Sequence, residues 1–270
     1  MWTKLRKPRP GADDGDESKP FIEHLEDLRD TLLRCVGALA LGMIVATPLA
    51  PRILDWLKRP LYAVFENAED VKQFLWNFDV LGGFTLAMKL ILWSGLLFAM
   101  PFLVLFIAQF IFPGLTVKEK TVIRKSSGAA VGLFAFGVFL AYRFCLPVGL
   151  RAMLAINAWI GVRPQWTITS YIGFTLQFLL AFGIVFEMPM VLIVLGKLGL
   201  VTSSFLRAYR RHVIVCLFIL SAILTPPDIF SQLLMGIPLV LLYEICILII
   251  RATERRNARA AAGTEPKPAD

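Results

Sequence analysis

One apolar run, Tyr171–Leu195, is long enough to cross a lipid bilayer, and its single charged residue is Glu187. About 20 predominantly apolar residues in a helix cross a hydrocarbon core about 30 Å thick. A carboxylate within such a helix is energetically expensive, so it usually faces a protein partner, a water-filled cavity or a transport path. The run therefore predicts a transmembrane helix whose one charge has a function.

The rest of the chain is similarly apolar, with 57% hydrophobic residues and a mean hydropathy of +0.68. A soluble domain of 270 residues could not cover that much apolar surface. We therefore predict an all-α, polytopic membrane protein with six transmembrane helices. The last two spans are short, which requires local thinning of the bilayer or burial against neighbouring helices. The predicted spans are 32–50, 80–111, 126–148, 171–195, 212–224 and 232–250.

The two ends of the chain differ in composition from this membrane domain, which we place at residues 20–252. Residues 1–19 mix proline, glycine and acidic residues and predict a disordered tail, and residues 253–270 predict a second one. The segment Pro20–Asp30 has apolar residues at helical spacing. It predicts an amphipathic helix that runs into the first span.

The net charge of +8 is distributed unevenly along the chain. Of the 28 Lys and Arg residues, 19 fall in the N-terminal tail, in 112–125, in 197–211 and in the C-terminal tail, whereas the alternate loops 51–78 and 149–169 hold six. Cytoplasmic loops of membrane proteins carry the excess of basic residues. This pattern predicts that both termini are cytoplasmic, and it favours a topology signal over nucleic-acid binding.

Neither a metal site nor an enzyme is indicated. The four cysteines lie in different apolar spans without metal-ligand spacing, and we interpret them as packing residues. The two histidines, His24 and His212, both lie at the predicted cytoplasmic face, and no Gly-x-Ser-x-Gly or His-Glu-x-x-His motif is present. We expect no cofactor.

Two carboxylates fall within predicted spans. Glu187 lies about 15 Å from the cytoplasmic end of its span and Glu244 about 10 Å from the end of the last one. Pro189 frees the carbonyl of Val185 and adds polar character beside Glu187. The two carboxylates could share one cavity, or each could be a hydrogen-bonded structural group.

Four sequence segments, weak when taken singly, occur together in a fixed order. They are HLEDLR (24–29), FIFPGL (110–115) followed by Lys118-Glu119, FGIVFEMP (182–189) and LTPPDIFSQ (224–232). Together they resemble TatC, the six-span core of the twin-arginine protein translocase. The resemblance runs from about Phe21 to Arg251.

The TatC resemblance implies a receptor in the bacterial cytoplasmic (plasma) membrane that binds paired arginines in the signal peptides of folded cargo. It implies single-span TatA and TatB type subunits, other TatC copies and the lipid bilayer as partners, no nucleic acid, and export driven by the proton motive force. Asp27 stands where the family usually has Glu. The implied signal-peptide site comprises Glu119, Asp27, Arg29, Phe110, Lys118 and His24.

The same resemblance assigns residues within and beyond the membrane. Glu187 and Gln232 match polar intramembrane positions near which the partner subunits dock. Glu244 is grouped with them because of its depth within the last span, not because of the resemblance. Asp228 and Pro60 match residues of the outer side.

One alternative is a proton-coupled secondary transporter that uses Glu187 and Glu244 as a relay. Such a protein would contain an inverted repeat with corresponding broken helices in each half. The six spans are unequal and show no such self-similarity, so the translocase reading is favoured.

Overall fold

The computed structural model describes residues 21–65, 74–77, 80–111, 117–162, 164–197, 199, 201–224 and 229–262. Most of these residues are helical. The helices are α1 (Phe21–Tyr62), α2 (Gly82–Ile111), α3 (Val117–Leu140), α4 (Leu146–Trp159), α5 (Ile168–Phe186), α6 (Met188–Lys197), α7 (Ser203–Ala208), α8 (Arg210–Leu224) and α9 (Ile229–Ala262). A π-helical turn, Ala141–Cys145, joins α3 to α4. Two short strands, β1 (Leu75–Trp76) and β2 (Trp166–Thr167), complete the described part of the chain.

The predicted all-α membrane fold is confirmed. Within the described residues, five helical segments are long and apolar enough to cross a bilayer: Leu25–Tyr62, Gly82–Ile107, Gly128–Trp159, Ile168–Gly196 and Ile229–Arg256. The remaining predicted span, 212–224, falls in α8. Its 15 residues rise about 22 Å, which is less than the thickness of the hydrocarbon core.

Three helical segments extend well beyond their predicted spans. The third span, predicted as 126–148, runs from Val117 through α3, the π-helical turn and α4 to Trp159. The first span was expected to end at residue 50, but α1 continues through Pro51 and Pro60 to Tyr62. The last helix continues to Ala262, through the first part of the predicted disordered tail 253–270. Alanine, arginine and glutamate dominate that stretch and are strong helix formers. The helix α9 is therefore longer than predicted, although its apolar part ends at Ile250.

The segment that contains α5 and α6 is the most buried of the five. Most residues of α5 from Tyr171 to Phe186 are buried, and their side chains form the centre of the main apolar core. The helix α1, by contrast, is largely exposed along its length. An exposed helix with apolar side chains along its whole length is suited to contact with lipid. The helix α5 is therefore central in the bundle, and α1 is peripheral.

Helices α1 and α2 cross where glycines let their backbones approach. A Cβ atom at position 95 would lie 2.8 Å from the backbone nitrogen of Met43, and one at position 42 would collide with the carbonyl oxygen of Gly95. Ala46 and Ala99 are fully buried beside this crossing. Lipid tails are as apolar as leucine, so helices in a membrane associate through close packing of small residues.

Three hydrogen bonds hold the C-terminal end of α1 against the bundle. Pro60 has no N–H for the carbonyl of Trp56, four residues earlier, and the Tyr142 hydroxyl donates to that carbonyl at 2.7 Å. The Tyr171 hydroxyl donates to the Leu57 carbonyl at 2.8 Å. The Arg151 guanidinium donates to the Ala63 carbonyl at 3.1 Å. A helix end interrupted by proline is thus supplied with donors from α4, α5 and the π-helical turn.

The same end of the bundle carries the two strands, and we call it the strand end. Strands β1 and β2 pair in parallel, with Leu75 opposite Trp166. The Phe74 and Trp166 rings meet edge to face with centroids 5.0 Å apart, and Trp166 stacks on Tyr171. These contacts attach the segments between helices to the start of α5. The opposite end, which holds the start of α1 and the end of α9, we call the terminal end.

We predict that Gly95→Ala destabilises the protein by about 1–3 kcal/mol, because a methyl group at position 95 forces α1 and α2 apart. Gly37→Ala in the middle of α1 is the matched control, since nothing lies within 4 Å of a Cβ there. That control should be neutral or slightly stabilising. Thermal unfolding in detergent measures both changes, and equal effects of the two substitutions would contradict the close crossing.

We also predict that Tyr142 and Pro60 are energetically coupled. Tyr142→Phe leaves the Trp56 carbonyl without a donor and should cost about 1 kcal/mol. In a Pro60→Ala background the restored N–H at position 60 can reach that carbonyl, so the same substitution should cost much less. A double-mutant cycle by thermal unfolding tests the coupling. Additive effects would mean that the hydroxyl does not serve this carbonyl.

Candidate functional site

The predicted signal-peptide residues lie at the terminal end of the bundle, to the extent that the structure describes them. Asp27 is half-buried in the second turn of α1, and Phe110 is half-buried in the last turn of α2. The side chains of His24, Lys118 and Glu119 lie outside the described residues. The backbone places Glu119 in the first turn of α3. Whether Asp27 and Glu119 face one another stays a prediction.

Arg29 is exposed and binds its own neighbour. Its guanidinium contacts the Asp30 carboxylate at 3.1 Å, and both side chains are more than half exposed. An exposed ion pair of this kind contributes little to stability. Arg29 therefore remains accessible at the surface of the terminal end.

Glu187 lies at the junction between α5 and α6, deep in the most buried segment of the bundle. Its side chain is 3% exposed, and among the described residues no group donates a hydrogen bond to either carboxylate oxygen. The Glu187 N–H bonds to the Ile184 carbonyl at 3.0 Å, a tight turn that ends α5, and Pro189 follows in the first turn of α6. In the described part of the chain, Glu187 therefore lacks the hydrogen bonds that a structural carboxyl would make.

The α5 end that carries Glu187 is fixed against α3 by a reciprocal pair of contacts. A Cβ atom at Gly137 of α3 would lie 2.6 Å from the Phe186 ring, and one at Gly183 of α5 would lie 2.5 Å from the Phe134 ring. Each glycine thus receives an aromatic side chain from the other helix. This packing fixes the backbone that presents Glu187, so the carboxylate is held in place although no described residue hydrogen-bonds to it.

The structure places Glu244 in an ion pair. The Glu244 carboxylate contacts the Arg210 guanidinium at the start of α8, and both side chains are partly exposed. Within the described part of the chain, no hydrogen bond or ion pair joins Glu244 to Glu187. The two carboxylates, considered above as sharing one cavity, thus have different environments.

Gln232 ties α8 to α9 within the chain. Its side-chain amide donates to the Phe218 carbonyl at 3.2 Å, and the Ser221 hydroxyl donates to the Gln232 carbonyl at 2.8 Å. These bonds close the hairpin between the short helix and its neighbour. A docking role for Gln232 stays a prediction, and Asp228, in the connection between the two helices, lies outside the described residues.

An apolar cavity of about 730 Å³ opens between α1, α2, α3 and α5. Its few polar lining residues include Arg52, Ser94 and Tyr142. Neither Glu187 nor Glu244 lines it, so it does not connect the two carboxylates. Among the described residues no group of His, Cys, Asp or Glu could hold a metal ion.

Sequence reasoning missed the residues that fasten both ends of the bundle. At the strand end these are Tyr142, Tyr171 and Arg151. At the terminal end the Glu254 carboxylate accepts hydrogen bonds from the Ser203 N–H, at 2.8 Å, and from the Ser203 hydroxyl. The sequence signal that could have identified these residues is a polar side chain near the end of an apolar helix. The sequence alone did not identify its partner, because the partners lie 51 to 114 residues apart.

Comparison with known proteins identifies the family. The family model described as "Sec-independent protein translocase protein (TatC)" matches residues 23–238. The TatC protein of Desulforapulum autotrophicum is 34% identical over 90% of this chain and 88% of its own length. That of Carboxydothermus hydrogenoformans is 35% identical over 87% of this chain and 95% of its own length.

A solved structure agrees with this match. The crystal structure of a "Twin Arginine Translocase Receptor- TatC" superposes with a TM-score of 0.73 at 32% identity, covering 85% of this chain and 98% of that one. A second crystal structure of the same receptor, in the detergent DDM, gives the same TM-score at 33% identity. The sequence motifs, the helical architecture and the matched relatives agree, and the chain belongs to the TatC family of Sec-independent protein translocase proteins.

Proposed function

We propose that this protein is the receptor that binds paired-arginine signal peptides of folded cargo at the terminal end of the bundle. The observation that carries the proposal is the position of the two motif carboxylates. Asp27 lies in the second turn of α1 and Glu119 in the first turn of α3, and both helices begin at the terminal end. Two helix starts at one end can present two carboxylates to a single extended peptide.

Carboxylates suit this task because of the geometry of arginine. A guanidinium is planar and always charged, and its forked N–H donors match the two oxygens of a carboxylate. A lysine ammonium cannot form those two parallel bonds. Hydrogen bonds to charged groups contribute about 1.5–3 kcal/mol each, so two of them separate Arg-Arg from Lys-Lys by a factor on the order of a hundred.

The proposed orientation places the terminal end in the cytoplasm. The tails and loops that carry most of the Lys and Arg residues are, in sequence, next to helix ends that lie at that end of the bundle. Both termini are then cytoplasmic, and the strand end with Pro60 faces the outside of the bacterial plasma membrane. A signal peptide that emerges with newly made cargo would meet Asp27 and Glu119 from the side where it is synthesised.

The second element of the proposal concerns Glu187. A buried carboxylate without a donor is unfavourable inside a membrane and gains most from a polar partner. We assign that partner to a single-span subunit of the TatA or TatB type, whose helix brings a polar side chain to Glu187. Recruitment of such subunits after cargo binding, with export driven by the proton motive force, completes the proposed role.

The transporter alternative receives no support from the site. A proton relay needs acidic groups that communicate through a polar path. Glu244 is paired with Arg210, and the apolar cavity lies elsewhere. Proton-coupled uptake by the purified chain in proteoliposomes would revive this alternative.

We predict that Glu119→Ala lowers affinity for a twin-arginine signal peptide by about tenfold or more, because one charge-assisted contact is lost. Preference over the Lys-Lys peptide should shrink by a similar factor. Fluorescence titration of the purified protein with both peptides measures the two quantities. Glu26→Ala is the control, since it removes an equal charge from an exposed residue beside Asp27. Unchanged affinity in Glu119→Ala would remove this role.

We further predict that the partner helix crosslinks beside Glu187. Val191 lies one helical turn after Glu187 and is 44% exposed, so Val191→Cys offers a reactive group on the surface nearest the carboxylate. In a background that lacks the four native cysteines, it should form a disulfide with a cysteine in the single-span subunit. The additional substitution Glu187→Leu should reduce the yield severalfold.

The matched control is a cysteine at Ile219 of α8, which is 55% exposed on another helix. It measures random collisions in the membrane. Equal crosslinking from Val191→Cys and Ile219→Cys, or a yield that Glu187→Leu does not change, would count against docking at Glu187.

A further inference from the structure

Three arginines at the terminal end converge between α7 and α9. Arg251 and Arg255 are four residues apart on α9 and therefore share one face of that helix. Ser203 and Arg207 are likewise four residues apart on α7. Glu254, which lies between the two α9 arginines in sequence, binds the N–H and hydroxyl of Ser203 and so brings the two faces together. Arg207, Arg251 and Arg255 are called the arginine cluster below.

The cluster has a surplus of positive charge. Among the described residues none of the three arginines forms an ion pair. The nearby Glu254 carboxylate accepts both hydrogen bonds of Ser203 and attracts Arg207, so it offsets one of the three positive charges and leaves two. The Glu244 carboxylate pairs with Arg210. The strongest electrostatic influence on Arg251 is the like charge of Arg207, followed by that of Arg255. Three mutually repelling guanidinium groups gain from a shared anion that carries more than one acceptor oxygen.

The fold also fixes the level of the cluster relative to the bilayer. Ile250 is buried and closes the apolar part of α9, and Arg251 follows it directly. On α7, Phe205 and Tyr209 are about half exposed, and their ring centroids are 4.7 Å apart. Aromatic residues of this kind concentrate where a membrane protein meets the headgroups. The cluster therefore lies at the boundary between apolar chains and polar headgroups.

From this arrangement we propose that the arginine cluster is a binding site for an anionic phospholipid. The headgroup phosphate accepts hydrogen bonds from the guanidinium groups, and the acyl chains extend along the apolar surface of α9. Basic pockets between transmembrane helices are known to hold anionic lipid headgroups. A bound lipid would add a bridge between α7 and α9 to the one made by Ser203 and Glu254. None of the three arginines belongs to the proposed signal-peptide site.

The test is lipid titration of the purified full-length protein in detergent, read by native mass spectrometry. Phosphatidylglycerol should bind the unsubstituted protein, and the double variant Arg207→Gln/Arg251→Gln should lower its affinity about 30-fold, which corresponds to about 2 kcal/mol. Phosphatidylcholine should bind both proteins equally weakly. Raising the salt concentration should reduce phosphatidylglycerol binding to the unsubstituted protein more than to the variant.

A matched control removes the same charge elsewhere. The double variant Arg52→Gln/Arg143→Gln neutralises two exposed arginines, one in α1 and one in the π-helical turn, and should retain phosphatidylglycerol affinity. The variant Arg207→Lys/Arg251→Lys should recover most of the lost affinity, since point charges still attract a phosphate. This recovery excludes misfolding as the cause of the loss.

Three outcomes would overturn the proposal. The first is equal loss of phosphatidylglycerol binding in the cluster variant and the control variant, which would indicate general charge attraction. The second is an unchanged affinity in the cluster variant. The third is displacement of the lipid by millimolar glycerol phosphate, which would indicate a site for a soluble phosphate rather than for a membrane lipid.

Discussion

The bundle depends on one constraint: within a bilayer, a backbone group that loses its helical partner must find another inside the protein. Proline residues create such groups in this chain. Pro60 frees the carbonyl of Trp56, which the Tyr142 hydroxyl then satisfies. Pro147 cannot donate to Arg143, and the chain widens there into the π-helical turn that carries Tyr142. Pro147 thus shapes the π-helical turn that carries Tyr142, and the Tyr142 hydroxyl donates to the Trp56 carbonyl that Pro60 leaves free.

Pro189 applies the same constraint to the central segment, with a different result. The helix ends at Phe186 and restarts at Met188, so Glu187 occupies the break. The packing of Phe186 on Gly137 keeps the break in one position. A broken helix in a membrane is tolerated where it is buried in protein or lines a cavity. Here it is buried, and the carboxylate at the break still has no donor among the described residues.

Hydropathy predicted the membrane fold because burial in lipid and burial in protein both require long apolar runs. Hydropathy did not predict that α1 continues to Tyr62. Proline interrupts a helix locally, but the hydroxyl and guanidinium groups that donate to the carbonyls at this end of α1 belong to residues distant in sequence, such as Tyr171. The extension of α9 was missed because its composition resembled a soluble tail. The role of Glu254 as an acceptor for Ser203 depends on tertiary contact and has no sequence signature.

For the intramembrane carboxylates too, the sequence predicted which residues lie within spans, whereas their surroundings depend on tertiary contacts. The sequence alone identified Glu187 and Glu244 as carboxylates within predicted spans. Placing either charge inside the bilayer costs free energy for the same reason. Their environments separate them: Glu244 neutralises Arg210 at a partly exposed end, whereas Glu187 is enclosed by aromatic and aliphatic side chains. A carboxylate that already has a cation gains little from another polar group. Glu187, which has no hydrogen-bond partner among the described residues and is fixed at a helix break, has free energy to gain from a second helix, which is why we propose docking at Glu187.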